Sequence, residues 1–117
     1  MDKVVLYHNP RWGKSRGVVS LLKENKISYN VVEYLKEGIS KESVLILAKK
    51  LNKNPIEFIR KGDLDFKKRV LAKDMLDNFK MAEFIEKYPK VLERPIVVKG
   101  EIAIIGRPPE NILKLFN

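Results

Sequence analysis

The chain has 117 residues, 44% of them hydrophobic and 33% charged, which is typical of one folded globular domain, and no run approaches the roughly 18 apolar residues of a membrane span. It contains no cysteine and a single histidine, which excludes disulfides and thiolate ligands made from these residues and argues against a metal site. The formal net charge of +9 would suit an anionic partner, but the lysines are scattered among acidic residues, so we interpret the excess as a solubilising surface and expect neither nucleic acid nor a membrane as partner.

The first third of the chain predicts a strand, a helix and a second strand. Val4–Tyr7 is a continuous β-prone run of the kind found in strands buried on both faces. Pro10 and Gly13 indicate a loop, and Ser15 is a candidate N-cap for the amphipathic helix that follows. Residues 31–34 form a second β-prone run. This order predicts a right-handed crossover between two parallel strands.

The middle of the chain predicts helices. Ser40 is a candidate N-cap for a helix with apolar residues at core spacing. Asn54 and Pro55 fit an N-cap followed by proline at the first helical position, opening a short helical turn. Two more helices are predicted within residues 63–71 and 81–88.

The end of the chain returns to β structure. Residues 95–98 and 102–105 read as an antiparallel hairpin joined by a tight turn at Lys99 and Gly100. Two prolines at residues 108–109 break the chain, and apolar residues within 112–116 predict a closing amphipathic helix.

The order of these elements predicts the fold class. A β-α-β unit, a helical insert at about residues 38–92 and a closing β-β-α unit describe an α/β protein with a thioredoxin-like architecture. Its four-stranded mixed sheet would combine two parallel strands with the hairpin and carry helices on both faces. No repeat, low-complexity tract or linker interrupts the sequence, so we predict a single domain over residues 1–117.

Four segments carry a resemblance that goes beyond fold class. In chain order they are LYHNPR followed by KSR within residues 6–16, FIR at 58–60, ERPIVV at 93–98 and GRPP at 106–109. Together they resemble the glutaredoxin-coupled arsenate reductase (ArsC) family, and the likeness runs from end to end. The resemblance implies a thioredoxin-like fold and a reaction in which a loop cysteine attacks bound arsenate. Glutathione and glutaredoxin would then complete the reduction.

The resemblance also implies roles for individual residues. Arg60, Arg94 and Arg107 would hold the oxyanion, and Trp12 occupies the position of the catalytic cysteine. The supporting loop residues would be His8, Asn9, Arg11, Lys14, Ser15 and Arg16. Pro95 corresponds to the family's cis proline, so we expect the peptide bond that precedes it to be cis.

The use of arginine supports an anion site without the resemblance. The chain has 18 lysines and only 6 arginines, yet five of these arginines fall in the four segments and Arg69 alone does not. A planar guanidinium can bind a tetrahedral oxyanion with two hydrogen bonds, which an ammonium cannot. Arginine at these positions therefore predicts a retained anion pocket, although inheritance from an ancestral site would leave the same pattern.

Trp12 removes the chemistry that such a loop would otherwise perform. The reaction needs a thiolate, whereas an indole offers only an N–H donor, and its bulk would fill the space of the oxyanion. Ser15 is the nearest hydroxyl, but the sequence places no base beside it, so we expect it to cap the helix. We expect His8 to border the loop. The run from Gly13 to Ser15 is not a nucleotide-binding P-loop, because that motif needs glycine where His8 stands.

Three functions remain open from the sequence. The first is a redox-inactive pseudoenzyme that keeps a pocket for arsenate, phosphate or sulfate and binds no cofactor. The second is an Spx-like regulator that binds RNA polymerase through its basic surface and an exposed Trp12, since tryptophan is a frequent interface anchor. The third is an ordinary arsenate or thiol reductase that uses glutathione and glutaredoxin, which would require that Trp12 is not the natural residue. In each case we expect a cytoplasmic monomer.

Overall fold

The computed structural model describes residues 3–9, 13–93 and 95–116, except for the side chain of Lys14. The chain forms two compact units, one made of Met1–Glu37 with Arg94–Asn117 and the other of Gly38–Glu93. The predicted fold class is confirmed, because the chain is an α/β protein with a four-stranded mixed sheet and helices. Among the described residues, the helices are too short or too polar to cross a bilayer.

The first unit contains the sheet. Its strands are Val4–Tyr7 (β1), Asn30–Val32 (β2), Ile96–Lys99 (β3) and Ile102–Ile105 (β4). Its helices are Gly13–Glu24 (α1), Tyr34–Glu37 (α2) and a 3-10 helix at Pro109–Leu115. The strands lie in the order β2-β1-β3-β4, with β1 and β2 parallel, as predicted, and the other two neighbouring pairs antiparallel. β1 is therefore an interior strand, and the loop that follows it leaves from the middle of the sheet.

One face of this sheet shares a core with α1 and the closing helix. The buried members of the core are Val4, Leu6, Val18, Leu22, Val97 and Ile112. Val18 and Leu22 are four residues apart and so lie on the same face of α1, while Leu6 pairs with Val97 across the sheet. Burying one such side chain contributes about 1.5–3 kcal/mol. The shared core therefore fixes α1 against the strand that precedes it.

The second strand is shorter than predicted. β2 ends at Val32, and Tyr34, predicted to close the strand, instead begins the single turn of α2. Tyr34 is fully buried there, and the backbone N–H of Glu33 donates to the Glu37 carboxylate at 2.8 Å. Burial of the ring and this helix-start hydrogen bond outweigh the β propensity of the aromatic residue.

The hairpin is confirmed, with its turn one residue later than predicted. Lys99 remains in β3, and Gly100 and Glu101 form the turn, in which Gly100 has a φ of +60°. This left-handed conformation favours glycine, which explains why the turn is centred on that residue.

The second unit is helical. Its helices are Lys41–Leu51 (α3), Leu64–Arg69 (α4) and Asn78–Lys87 (α5), with 3-10 helices at Pro55–Phe58, Ala72–Asp74 and Pro89–Val91. The N-cap predicted at Ser40 is confirmed, because its hydroxyl oxygen accepts from the Ser43 N–H at 3.1 Å. Asn54 precedes a helix with Pro55 in its first turn, as predicted, and its backbone N–H donates to the Glu57 carboxylate at 2.7 Å.

Candidate anion-binding site

The carboxyl end of β1 and the start of α1 frame the loop that the sequence marked as a site. His8 continues the parallel ladder, because its backbone N–H donates to the Val32 carbonyl at 3.0 Å. α1 begins at Gly13. The first N–H groups of a helix have no partner within the helix, and the helix dipole gives that end a partial positive charge. The loop therefore ends at a place that favours a small anion.

Ser15 does not cap α1, so that prediction is wrong. It is the third residue of the helix, is fully buried, and its hydroxyl oxygen accepts a long hydrogen bond of 3.5 Å from the backbone N–H of Asn9. Asn9 itself is buried. The hydroxyl is thus turned toward the end of β1, and it joins the two ends of the loop rather than the first turn of its own helix.

Arg16 folds back toward the start of α1. Its Nη2 atom would lie 3.7 Å from a Cβ atom placed on Gly13, although the residue as a whole is exposed. The first turn of α1 contains no acidic residue. A guanidinium and the helix dipole therefore add their positive potentials at this position.

Two other motif segments lie side by side in the first unit. The backbone N–H of Gly106 donates to the Pro95 carbonyl at 2.8 Å, which brings the residues next to Arg94 and Arg107 together. A Cβ atom on Gly106 would lie 2.6 Å from Cγ2 of Val18 in α1. Both segments are therefore held close to the helix whose start forms the candidate site.

The turn after β4 is also tied to α1. A Cβ atom on Gly17 would lie 3.1 Å from Cγ of Pro109. Arg107 is exposed, its carbonyl accepts from the Asn111 side-chain amide at 3.1 Å, and its peptide bond to Pro108 is cis. These two close contacts of glycine with a neighbouring element were not predicted from the sequence. The glycines at 17 and 106, inside or next to the motif segments, were the available signal.

His8 is placed beside the loop with one ring nitrogen buried. Its Nδ1 atom has no hydrogen-bond partner among the described residues. Burial lowers the pKa of His8, and the nearby carboxylate of Glu33 partly opposes this shift. Burial likewise raises the pKa of the Tyr7 phenol. Both rings are therefore expected to be neutral at pH 7, so they add no charge next to the site.

Arg60 belongs to the second unit and is half-buried. Its backbone N–H donates to the Val91 carbonyl at 2.7 Å, and the Glu93 N–H donates to the Phe58 carbonyl at 2.7 Å. These two bonds flank an antiparallel bridge between Ile59 and Leu92. The backbone of Arg60 is therefore held in a short, well-paired segment.

Several site predictions fall outside the described residues. These are Pro10, Arg11, Trp12 and Arg94, together with the side chain of Lys14. The cis peptide bond expected before Pro95, the orientation of Trp12 and the meeting of the three arginines therefore stay predictions. Pro95 itself is buried. Within the described part of the chain, no group of three or more His, Cys, Asp or Glu side chains is arranged to hold a metal ion.

Comparison with known proteins identifies the same family by sequence and by structure. The family model described as "ArsC family" matches residues 7–115. The chain is 39% identical to the uncharacterized protein YfgD of Escherichia coli K12 over 114 residues, covering 97% of this chain and 96% of that protein. It is 36% identical to an arsenate reductase of Haemophilus influenzae, covering 96% and 97% of the two chains. The solved structure of an arsenate reductase from Vibrio cholerae superposes with a TM-score of 0.85 at 33% identity, covering 97% of each chain.

Proposed function

This chain belongs to the ArsC family, and on that premise we propose that it is a redox-inactive member that keeps an arginine-lined pocket for a small oxyanion. The observation that carries the proposal is the residue at position 12. It is a tryptophan in the loop between β1 and α1, and these 117 residues contain no cysteine. The resemblance places the nucleophilic cysteine of the family at this position.

The substitution removes the step on which reduction depends. A cysteine at a helix N-terminus beside cations becomes a thiolate, which is the nucleophile in thiol chemistry. The indole of Trp12 has no comparable lone pair and donates only through its N–H. Ser15 does not replace it, because its hydroxyl is buried and engaged with the Asn9 N–H. Glutathione and glutaredoxin therefore have no role in the proposed function.

The anion pocket is supported by the surroundings of the missing nucleophile. The start of α1 has Arg16 folded toward it and no acidic residue in its first turn. The segments that contain Arg94 and Arg107 are held together through Pro95 and Gly106. We propose that these two arginines and Arg60 bind arsenate, phosphate or sulfate, each guanidinium offering a planar pair of donors.

The redox part of the proposal is tested by an activity assay. Arsenate reduction is measured with glutathione and glutaredoxin for the wild-type chain and for Trp12→Cys. We expect no turnover above background for the wild type, and turnover in the variant if the rest of the site is intact. Turnover by the wild type would refute the proposal. Intact mass of the protein used checks that position 12 is tryptophan, which separates this result from the possibility of an ordinary reductase.

The binding part can be followed with Trp12 itself, the only tryptophan of the chain. Arsenate, phosphate and sulfate are titrated while the tryptophan emission is recorded, and a saturable change is expected. Arg107→Gln should weaken the response about tenfold, the loss of one charge-assisted hydrogen-bond pair. Arg69→Gln is the matched control. It removes the same charge from an exposed arginine that pairs with Asp65 and lies outside the four segments.

Two results would contradict the retained pocket. One is a chain whose emission is unchanged by all three oxyanions, with calorimetry also showing no heat of binding. The other is an equal response in Arg107→Gln and Arg69→Gln. Either result would favour the Spx-like alternative, and recovery of RNA polymerase by the tagged chain would then be its direct test.

A further inference from the structure

A cavity lies in the first unit, away from the loop between β1 and α1. It has a volume of about 680 Å³ and is lined by the start of β1 and by the connection between α1 and β2. The loop of the candidate anion site leaves from the other end of β1, at Tyr7. A four-residue strand spans about 10 Å at about 3.3 Å per residue, so the two sites lie at opposite ends of the strand.

One wall of this cavity is apolar and continuous with the core. Ile27, Tyr29 and Phe116 line it, and all three pack against the buried cluster shared by the sheet and α1. Their positions are thus fixed by the core rather than by loop conformation. The volume falls in the range of about 300–1,000 Å³ that is usual for small-molecule sites.

The cavity is also lined by positively charged side chains. Lys3, Lys26 and Lys99 line the cavity, and no aspartate or glutamate does so within the described part of the chain. Lys99 is held in place, because its Nζ atom donates to the Leu115 carbonyl at 3.1 Å and lies 5.2 Å from the centre of the Phe116 ring. Lys26 follows α1 in a left-handed conformation with a φ of +56°. Three lysines therefore line the cavity together with its apolar residues, and the Lys99 ammonium lies next to the Phe116 ring.

We propose that this cavity binds a small amphiphilic anion, with its charged head at the three lysines and an aryl or short alkyl body against Ile27, Tyr29 and Phe116. The charge of the lysines selects a negative head. The apolar wall selects against a bare oxyanion, whose full hydration shell gains nothing from contact with hydrocarbon. The site is independent of the proposed oxyanion pocket and of the absence of a catalytic cysteine.

The test measures separately how the charged head and the apolar body of the ligand contribute to binding. The full chain is labelled with ¹⁵N and titrated with octanoate, with octan-1-ol and with inorganic phosphate, and backbone amide shifts are followed by NMR. Octanoate should give saturable shifts at residues 26–30, at Lys99 and at Phe116. Octan-1-ol should bind about tenfold more weakly because it lacks the charge, and phosphate should leave these amides unchanged because it lacks the body.

Two variants test the location, each with a matched control. Ser28→Trp fills the cavity from its lining, and Ser20→Trp adds the same ring to an exposed position on α1. The double variant Lys3→Gln with Lys99→Gln lowers the net charge by two at the cavity. The control variant, Lys36→Gln with Lys61→Gln, lowers the net charge by the same amount at two exposed lysines outside the cavity. We expect at least about tenfold weaker octanoate binding for the two cavity variants and unchanged binding for the controls.

The proposal is overturned by any of three results. Equal affinity for octanoate and octan-1-ol would show that the lysines do not favour a negatively charged head group. The same shifts with phosphate would show a simple anion site, and equal binding by Ser28→Trp and Ser20→Trp would place the ligand elsewhere. If Ser28→Trp does not fold, as judged by a poorly dispersed amide spectrum, the two double lysine variants decide the location. Equal octanoate binding by the cavity pair and by its control would then overturn the proposal.

Discussion

Gly106 approaches Val18 so closely that a Cβ atom on residue 106 would stand 2.6 Å from Cγ2 of the valine. The same atom would lie 3.2 Å from Cγ2 of Ile112 and 3.2 Å from Cγ of Pro95. The glycine is therefore the point at which the end of β4, the middle of α1, the closing helix and the segment before β3 all meet. The contact joins the segment that begins at Pro95 to the turn that contains Arg107.

Gly106→Ala should destabilise the fold. The added methyl group meets buried side chains that cannot move freely, so we expect the free energy of unfolding to fall by about 1–3 kcal/mol in urea denaturation. Gly62→Ala is the control, because a Cβ atom there would meet nothing within 4 Å. It should stay within about 0.5 kcal/mol of the wild type or gain slightly. Equal effects of the two substitutions would show that the contact with Val18 is not tight.

Ser15→Ala should cost about 1 kcal/mol, because it removes the acceptor of the Asn9 N–H from a fully buried position. It should also weaken the emission response to oxyanions, since the two ends of the loop are no longer joined. Ser20→Ala changes an exposed serine of the same helix and should be neutral or slightly stabilising. If the two variants behave alike in urea denaturation, the hydroxyl of Ser15 does not hold the loop.

Stability should depend on pH through His8. Burial lowers its pKa in the folded protein, so the unfolded chain binds the proton at a higher pH than the folded one. The free energy of unfolding is then highest above about pH 6.5 and falls as the pH drops from there toward the folded-state pKa. Between about pH 7.5 and about pH 5.5 the wild type should lose more stability than His8→Gln.

The same histidine can be titrated directly, because it is the only one in the chain and gives a single imidazole signal by NMR. Glu33→Gln should lower its pKa further, since the carboxylate of Glu33 favours the protonated ring. A midpoint that stays unchanged or rises in this variant would mean that Glu33 does not act on the ring. Equal pH dependence of the wild type and His8→Gln would refute the stability argument.

Lys26→Gly should stabilise the fold and should also lower the affinity of the lysine-lined cavity for octanoate. Lys26 has a φ of +56°, and a left-handed residue with a side chain costs about 1 kcal/mol that glycine avoids. We expect a gain of about 0.5–1 kcal/mol in urea denaturation, with lower affinity for octanoate. Lys23→Gly, in the last turn of α1, should instead lose about 0.5–1 kcal/mol. A loss for both would show that residue 26 is not constrained as described.

Local patterns sufficed where a feature depends on neighbouring residues. The run Val4–Tyr7 predicted β1 with its boundaries, because continuous β-prone residues form an interior strand. Ser40 was predicted as an N-cap because capping involves only the next three residues. The order of elements and the four motif segments were enough for the fold and the family, both of which are confirmed.

Structural features that depend on contacts between distant parts of the chain could not be predicted from the sequence. Whether Ser15 caps α1 or turns toward Asn9 is decided by how the helix packs against β1, and no local pattern distinguishes the two. Tyr34 has a β-prone side chain, yet its burial places it in a helix. The lysine-lined cavity is formed by residues from four separate parts of the chain, none of which carries a motif.

The first turn of α1 places the Arg16 guanidinium beside an end of the helix that already has a partial positive charge, and this turn contains no acidic residue. Such an arrangement repels itself, by about 0.3–1 kcal/mol for a cation next to a helix N-terminus. A divalent anion that binds there relieves the repulsion, and it stabilises the folded state by an amount that grows with the logarithm of its concentration above the dissociation constant. The buffer salt therefore affects every stability measurement on this protein. The melting temperature should be higher in sulfate or phosphate solutions than in chloride solutions of equal ionic strength.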